Sequence, residues 1–401
     1  MLNIPQADID NYLENRTGPA CAYLYDLASL EKHVRNLLAV MPKKCKLTYA
    51  IKANSDDKVL KTLAPLVGGF DVASFGEIEK VRNVSKDAML ALGGPAKTSD
   101  ELKAAITHKT ALFHIESMQQ LQCLNEVVES MDQQVDVLLR INPDIVTPAA
   151  TLQMGGASTQ FGIEQAGVHD AITLSKTLPA IRLVGFHFHA ISNNLDERKH
   201  LTLIEEYIHL VNAWKQQHNL SIRYINVGGG IGVNYADQRR QFDWPLFCSG
   251  LDLLLSRHKD KISPNTEIVF ECGRFISAFC GFYLTEVIDI KNNHGHNFAL
   301  LRGGSHHFRL PVSWQHNHPF RVIPRNNWPF KYEPIRLTHE NVTLCGELCT
   351  PKDVLARNVF VDTLTQGDII LFLLAGAYGW HISHHDFLSH RYPDFIYIES
   401  V

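Results

Sequence analysis

The sequence predicts an α/β protein: a (β/α)8 barrel over residues 27–275, joined to a β-rich domain made of residues 1–26 and 276–401. Three observations predict it. Eight short apolar runs recur between Leu47 and Glu271, continuous rather than alternating, as parallel strands covered on both faces should be. Amphipathic stretches of helical period lie between them. After Phe275 the helical period fades and strand-like runs follow one another. A barrel of this type needs about 250 residues. A doubly wound open sheet has the same alternation, and counting strands does not separate the two.

Taken in order, the run CAYLYDL precedes the barrel and is placed to add a strand to the β-rich domain. The segment SLEKHVRNLLAVM sets Leu30, Val34, Leu37 and Leu38 on one helical face. The expected barrel strands are Leu47–Lys52, Phe70–Ser74, Ala88–Leu92, Ala111–Ile115, Val135–Ile141, Leu183–His187, Ile222–Val227 and Glu267–Glu271. Thr98 with Glu101, and Ser117 with Gln120, have capping-box spacing before apolar periods. Beyond Phe275, the runs FCGFYLTEVIDI, FALLRG, VTLCGELC, NVFVDTL and DIILFLLA read as strands with no convincing helix between most of them.

Composition narrows the function classes. The chain has 401 residues, 45 % of them apolar and 20 % charged, with a formal charge of -4. This is ordinary globular composition with no basic footprint for nucleic acid. The longest apolar stretch, Ile369 to Ala377, is too short to span a bilayer. The opening MLNIPQADIDNYLENRTGP has acids among its first residues and no basic region leading into an apolar run, so no signal peptide is expected. Eight irregularly spaced cysteines show neither a disulfide framework nor a paired-zinc rhythm. Reduced thiols in a cytoplasmic protein are the expectation.

In a barrel of this kind chemistry sits at the carboxyl ends of the strands. Lys52 ends the first strand in YAIKAN, and His189 follows the sixth in GFHFHAIS. Gly228, Gly229 and Gly230 follow the seventh, and Glu271 and Arg274 close the eighth in ECGRF. Each has a plainer reading alone. A strand-end lysine can be a solvated cap, His187 or His189 a satisfied core histidine, three glycines a tight turn. Together they fit one molecule. Backbone N–H groups of a glycine loop can cradle a phosphate, a lysine amine can form a Schiff base with an aldehyde, and a carboxylate can keep a pyridine nitrogen protonated. Phosphate, aldehyde and pyridine together are pyridoxal 5'-phosphate (PLP).

The ordered motifs YAIKAN, FDVASFGE, LLRIN, GFHFHAIS, NVGGGIG, ECGRF, CGELCTPKD and AGAYG resemble the fold-type III PLP-dependent decarboxylases, such as those acting on ornithine and diaminopimelate. The resemblance runs along almost the whole chain. It implies a PLP-binding barrel with a C-terminal β domain, and a homodimer with shared active sites. It implies Lys52 as the Schiff-base lysine, His189 stacked on the cofactor ring, and Glu271 at the ring nitrogen. Gly228, Gly229 and Gly230 with Arg274 and Tyr378, joined by Ser192, would form the phosphate cup. Asp71, Glu77 and Arg140 match supporting positions near the lysine. Cys349 matches the acid that reaches the site from the second subunit.

Departures from the family pattern bear on the substrate. The histidine loop reads His189-Ala190-Ile191-Ser192 where the family has H-x-G-S, and Cys272 stands where it has proline. After Cys349 the family normally has a carboxylate for the distal ammonium of a dibasic substrate; here the residue is Thr350. A site without that carboxylate should select poorly for a dibasic amino acid. The run RGGSHHFRLPVSWQHNHPF is instead rich in arginine and histidine, donors that suit carboxylates. Arg309, His316 and His318 are the candidates there, Arg309 foremost, though one residue out of register with the substrate arginine of diaminopimelate decarboxylases. The cluster His381, His384, His385 and His390 admits a zinc reading, but suitably spaced cysteines are lacking, and no metal is expected. RLPVSWQHNHPF, GFHFHAISNN, CGELCTPKDV and AYGW are similar to the siderophore-biosynthesis branch of the family, which implies a citrate-conjugated amino acid of the citryl-diaminopropionate type as substrate. A decarboxylase of free ornithine or diaminopimelate, and a non-catalytic PLP-binding regulatory homologue, are the rival readings.

Overall fold

The computed structural model describes residues 4–145, 152, 153, 158–325 and 328–399. The chain divides into two compact units: Glu31–Val233 with Gln241–Ile276, and Met1–Leu30 with Asn234–Arg240 and Ser277–Val401. The segment Asn234–Arg240 thus groups with the strand-rich unit, inside the range that the sequence assigned to the barrel.

The larger unit is built on eight parallel strands: β1 (Cys45–Ala50), β2 (Phe70–Val72), β3 (Leu90–Leu92), β4 (Leu112–Ile115), β5 (Val135–Asn142), β6 (Ile181–Phe188), β7 (Tyr224–Gly228) and β8 (Glu267–Cys272). Each pairs with its sequence neighbour, and β8 returns to β1 through Ile268–Cys45 to Cys272–Tyr49. That last pairing closes the ring and excludes the open doubly wound sheet. The strands are almost wholly buried, which is why they read as unbroken apolar runs. Helices cover the outside, and their starts follow local chemistry. Thr98 forms the full capping box with Glu101. Ser117 caps only one way, because Gln120 turns its side chain to the Glu116 N–H instead.

One expected boundary moves. The first strand ends at Ala50, and Lys52 lies in the single 3₁₀ turn Ile51–Ala53 that follows. The last β1–β2 pairing is Ala50 with Asp71, and the Tyr49 hydroxyl donates to the Asn54 carbonyl. The chain is therefore already turning where the sequence continues to read as strand.

In the second unit, the fully buried strand Cys21–Asp26 runs antiparallel to Gly281–Asn293 and parallel to Asp394–Ile398. Gly281–Asn293 continues into His296–Leu301 and also pairs with Ile369–Phe372; Arg336–Cys345 and Val354–Thr365 extend the sheet. Tyr23 anchors its aromatic core, stacked on Phe395 at 5.9 Å and packed on Tyr283 at 5.0 Å. Among the described residues no helix is long and apolar enough to cross a membrane.

Candidate active site

In the barrel unit the expected residues collect where the strands end. The Lys52 amine lies 3.3 Å from an Asp71 oxygen at the end of β2. Asp71 is buried; that burial, reinforced by the charge of Glu271, pushes its carboxyl up to about 7 against the pull of Lys52. Glu77, in the first turn of a helix capped by Ser74, accepts the Ala73 N–H at 2.7 Å, and burial raises it. Arg140, from β5, turns to Glu116 at 3.0 Å, and the other oxygen of that carboxylate takes the Gly162 N–H at 3.0 Å.

Glu271 sits at the end of β8 with both oxygens occupied. One accepts from His187 Nε2 at 3.0 Å, the other from the Asn226 amide at 2.6 Å. Burial works against its charge, but the neighbouring His187 ring and its hydrogen bond hold the carboxyl well below the usual range. His114 lies under His187, ring centroids 4.3 Å apart, and burial holds it neutral.

The triple glycine needs its glycines. Gly228 and Gly230 have φ of +70° and +86°, a region that side chains other than glycine rarely adopt. A Cβ on Gly228 would lie 2.3 Å from the Phe188 carbonyl, and one on Gly229 would lie 2.3 Å from that of Glu271. His189 reaches the same loop, its Nδ1 accepting the Gly229 N–H at 3.2 Å. That bond leaves the proton on Nε2, and burial, with Lys52 and Arg140 nearby, keeps the ring neutral. Ser192 follows on the same segment, and Arg274, buried, opens the short helix after β8.

In the strand-rich unit, Cys349 is exposed on a turn whose shape is set by Asp353. The buried Asp353 carboxylate accepts the N–H groups of Ser305 at 2.6 Å and Leu348 at 2.9 Å. Thr350 spends its hydroxyl on that turn, accepting the Lys352 N–H at 3.3 Å. Arg309 is exposed, bonded through Nε to Ser313 and through its backbone N–H to Ser383. His316 and His318 adjoin at 3.0 Å, but His318 is buried and its Nε2 meets the Leu373 carbonyl at 2.6 Å. His385 is stacked on Trp380 at 3.5 Å and bonded to its carbonyl. Tyr378 adopts φ +53° in the segment before Trp380. The sequence reading missed His114, Glu116, Asn226 and Asp353. The one available signal was a polar residue interrupting an apolar strand, as Asn226 does in INVGGG.

An amine beside a buried carboxyl, a second carboxylate held ionised, a neutral imidazole and a glycine loop with no room for side chains define a barrel enzyme. Its donor set fits PLP: an amine for the aldehyde, a carboxylate for the ring nitrogen, and backbone and guanidinium for the phosphate. The chain belongs to the pyridoxal-dependent decarboxylase family, whose pyridoxal-binding-domain model matches residues 27–278. It is a PLP-dependent decarboxylase. It is 46 % identical to the 2-[(L-alanin-3-ylcarbamoyl)methyl]-2-hydroxybutanedioate decarboxylase of Staphylococcus aureus, over 96 % of each chain. It is 31 % identical to the diaminopimelate decarboxylase of Vibrio cholerae over 95 % of this chain and 87 % of that one. Among solved structures, a point mutant of Helicobacter pylori diaminopimelate decarboxylase complexed with L-lysine superposes with a TM-score of 0.85 at 24 % identity, covering 98 % of this chain and 94 % of that one.

Proposed function

We propose that the enzyme removes the α-carboxylate of a citrate-conjugated amino acid of the citryl-diaminopropionate type, a step in carboxylate siderophore biosynthesis. The observation that carries this is the near full-length 46 % identity to the S. aureus enzyme, whose name describes an alanine unit linked by an amide to a hydroxylated dicarboxylate. Thr350, bound into its own turn, supports it, because no acid stands there to hold a distal ammonium.

PLP, when bound, supplies an electron sink for the pair left on Cα as the carboxylate departs. In this reading Lys52 is the anchoring amine and Asp71 its partner, with Glu77 and Arg140 fixing the surroundings. Glu271 would hold a proton at the ring nitrogen, and neutral His189 would lie against the ring. Gly228, Gly229 and Gly230, with Ser192, Arg274 and Tyr378, receive the phosphate. Arg309 reads a remote carboxylate; His316 assists, while His318, buried on the Leu373 carbonyl, holds His316 in place.

Cys349 or Lys52 delivers a proton to Cα. We assign Cys349, on the family resemblance, to the barrel of a second copy, which makes the working enzyme a homodimer. We keep 27–275 as the cofactor-binding domain, with 1–26 and 276–401 as its β-rich partner. All eight cysteines are free, in keeping with a reducing, cytoplasmic setting. The test is CO2 release from purified enzyme given citryl-diaminopropionate, citryl-serine, ornithine and diaminopimelate separately. Turnover of the diaminopropionate conjugate is expected, and robust turnover of ornithine or diaminopimelate instead would overturn the substrate class.

A further inference from the structure

We propose that Asn226 is a positioning residue that ties the carboxylate at the ring nitrogen to the glycine loop, so that the two ends of the cofactor cradle keep one fixed spacing. The proposal rests on the reading of Glu271 and Gly228–Gly230 given above.

The Asn226 side chain is 1 % exposed and works in both directions. Its amide nitrogen donates to Glu271 at 2.6 Å, and its amide oxygen accepts the Gly228 N–H at 2.9 Å. These opposite demands fix which end of the amide is which. The β7–β8 register shifts between Asn226 and Gly228, and such an irregularity re-aims a side chain at the rim of a barrel. Here it lets one side chain on β7 meet both the end of β8 and the start of its own loop.

No other residue of this size does both jobs. An aspartate would accept from Gly228, but it would set a second carboxylate against Glu271. An alanine would leave the buried Gly228 N–H and one Glu271 oxygen without these bonds. His187 secures only the other oxygen, and His114 stands 3.7 Å from Glu271, outside hydrogen-bond range. Asn226 is thus bonded to both ends of the cradle. Misplacement by a fraction of an ångström in such a shell is enough to degrade a site.

The test uses Asn226→Ala, Asn226→Asp and Glu271→Gln, each prepared without cofactor and titrated with PLP. Both Asn226 variants are expected to bind PLP about tenfold or more weakly. The pH midpoint of the bound cofactor's visible absorbance should move by about half a pH unit or more in each. Asn226→Asp, nearly isosteric, decides the matter if the alanine variant does not fold. A lowered melting temperature with unchanged affinity and midpoint would mark Asn226 as merely structural and overturn the proposal. If Glu271→Gln moves the midpoint and the Asn226 variants do not, only this inference fails. If Glu271→Gln also leaves the midpoint in place, the ring-nitrogen reading beneath it fails.

Discussion

Replacing Asp353 by alanine removes the acceptor of two buried N–H groups at once, those of Ser305 and Leu348. The residue is 1 % exposed, and backbone crowds it on both sides: a Cβ on Gly304 or Gly346 would lie 2.5 or 2.2 Å from its Oδ2. Water therefore has little access to take over the lost bonds. An orphaned buried donor costs about 1–3 kcal/mol, so the pair should cost about 2–6 kcal/mol. For a folding unit of this size that corresponds to a melting temperature lowered by roughly 5–20 °C. Differential scanning calorimetry of the variant against wild type measures the shift. Because Leu348 adjoins Cys349, kcat should also fall while PLP content, followed by absorbance, stays constant. A shift smaller than about 2 °C would refute the reasoning, since it would mean that the two N–H groups find other acceptors at little cost.

Borohydride reduction of the holoenzyme should add the cofactor mass to the peptide containing Lys52, and labelling at another lysine would displace it as the anchor. Mixing inactive Lys52→Ala chains with inactive Cys349→Ala chains should restore activity in part; no recovery despite proven subunit exchange would argue for sites within one chain. Arg309→Ala should lower kcat/KM for the citryl conjugate tenfold or more, since losing a charged partner costs about 2–5 kcal/mol; unchanged kcat/KM in a folded, PLP-loaded variant removes Arg309 from the site. In the cofactor-free protein, folded Asp71 keeps its proton up to about pH 7, whereas the unfolded chain loses it near 4. Wild-type stability should therefore fall as pH rises between these values, and Asp71→Asn should gain relative to it from pH 4 to 8 in urea melts. A relative loss over that range would reverse the sign of the burial argument.

What was legible in the sequence was what repeats. All eight barrel strands stand where continuous apolar runs stood, because strands covered on both faces leave a signature in every residue. Leu30, Val34 and Leu37 are buried as their period requires, and Leu38 of the same face is half-buried. The positions of Lys52, His189, Glu271 and the glycines at or just beyond strand ends were legible because the strands themselves were legible. Asn226, Glu116 and Asp353 were not, because their partners Glu271, Arg140 and Ser305 lie 45, 24 and 48 residues away. A single polar residue carries no period, and only the closed ring or the folded turn tells it what to bond. Gln120 shows the same limit at short range. Its spacing to Ser117 is that of a full box, yet the Glu116 N–H competes for its oxygen and wins.

The strand Cys21–Asp26 has a consequence for the order in which the molecule is made. Ala22 is matched with Asp394 on one edge and with Leu284 on the other, so this strand leaves the ribosome long before either neighbour exists. At typical bacterial and eukaryotic elongation rates, the interval before Asp394 emerges is roughly 20–70 s. For most of it, until Gly281–Asn293 emerges, six residues that end up wholly buried have no strand partner, while Glu31–Ile276 is being synthesised and can begin to close. The nascent chain thus carries an uncovered apolar strand ahead of the barrel segments, a natural client for a chaperone that binds short extended segments. Polar substitutions at Tyr23 or Leu24 should therefore act twice, weakening the finished sheet and changing how the unfinished chain is handled.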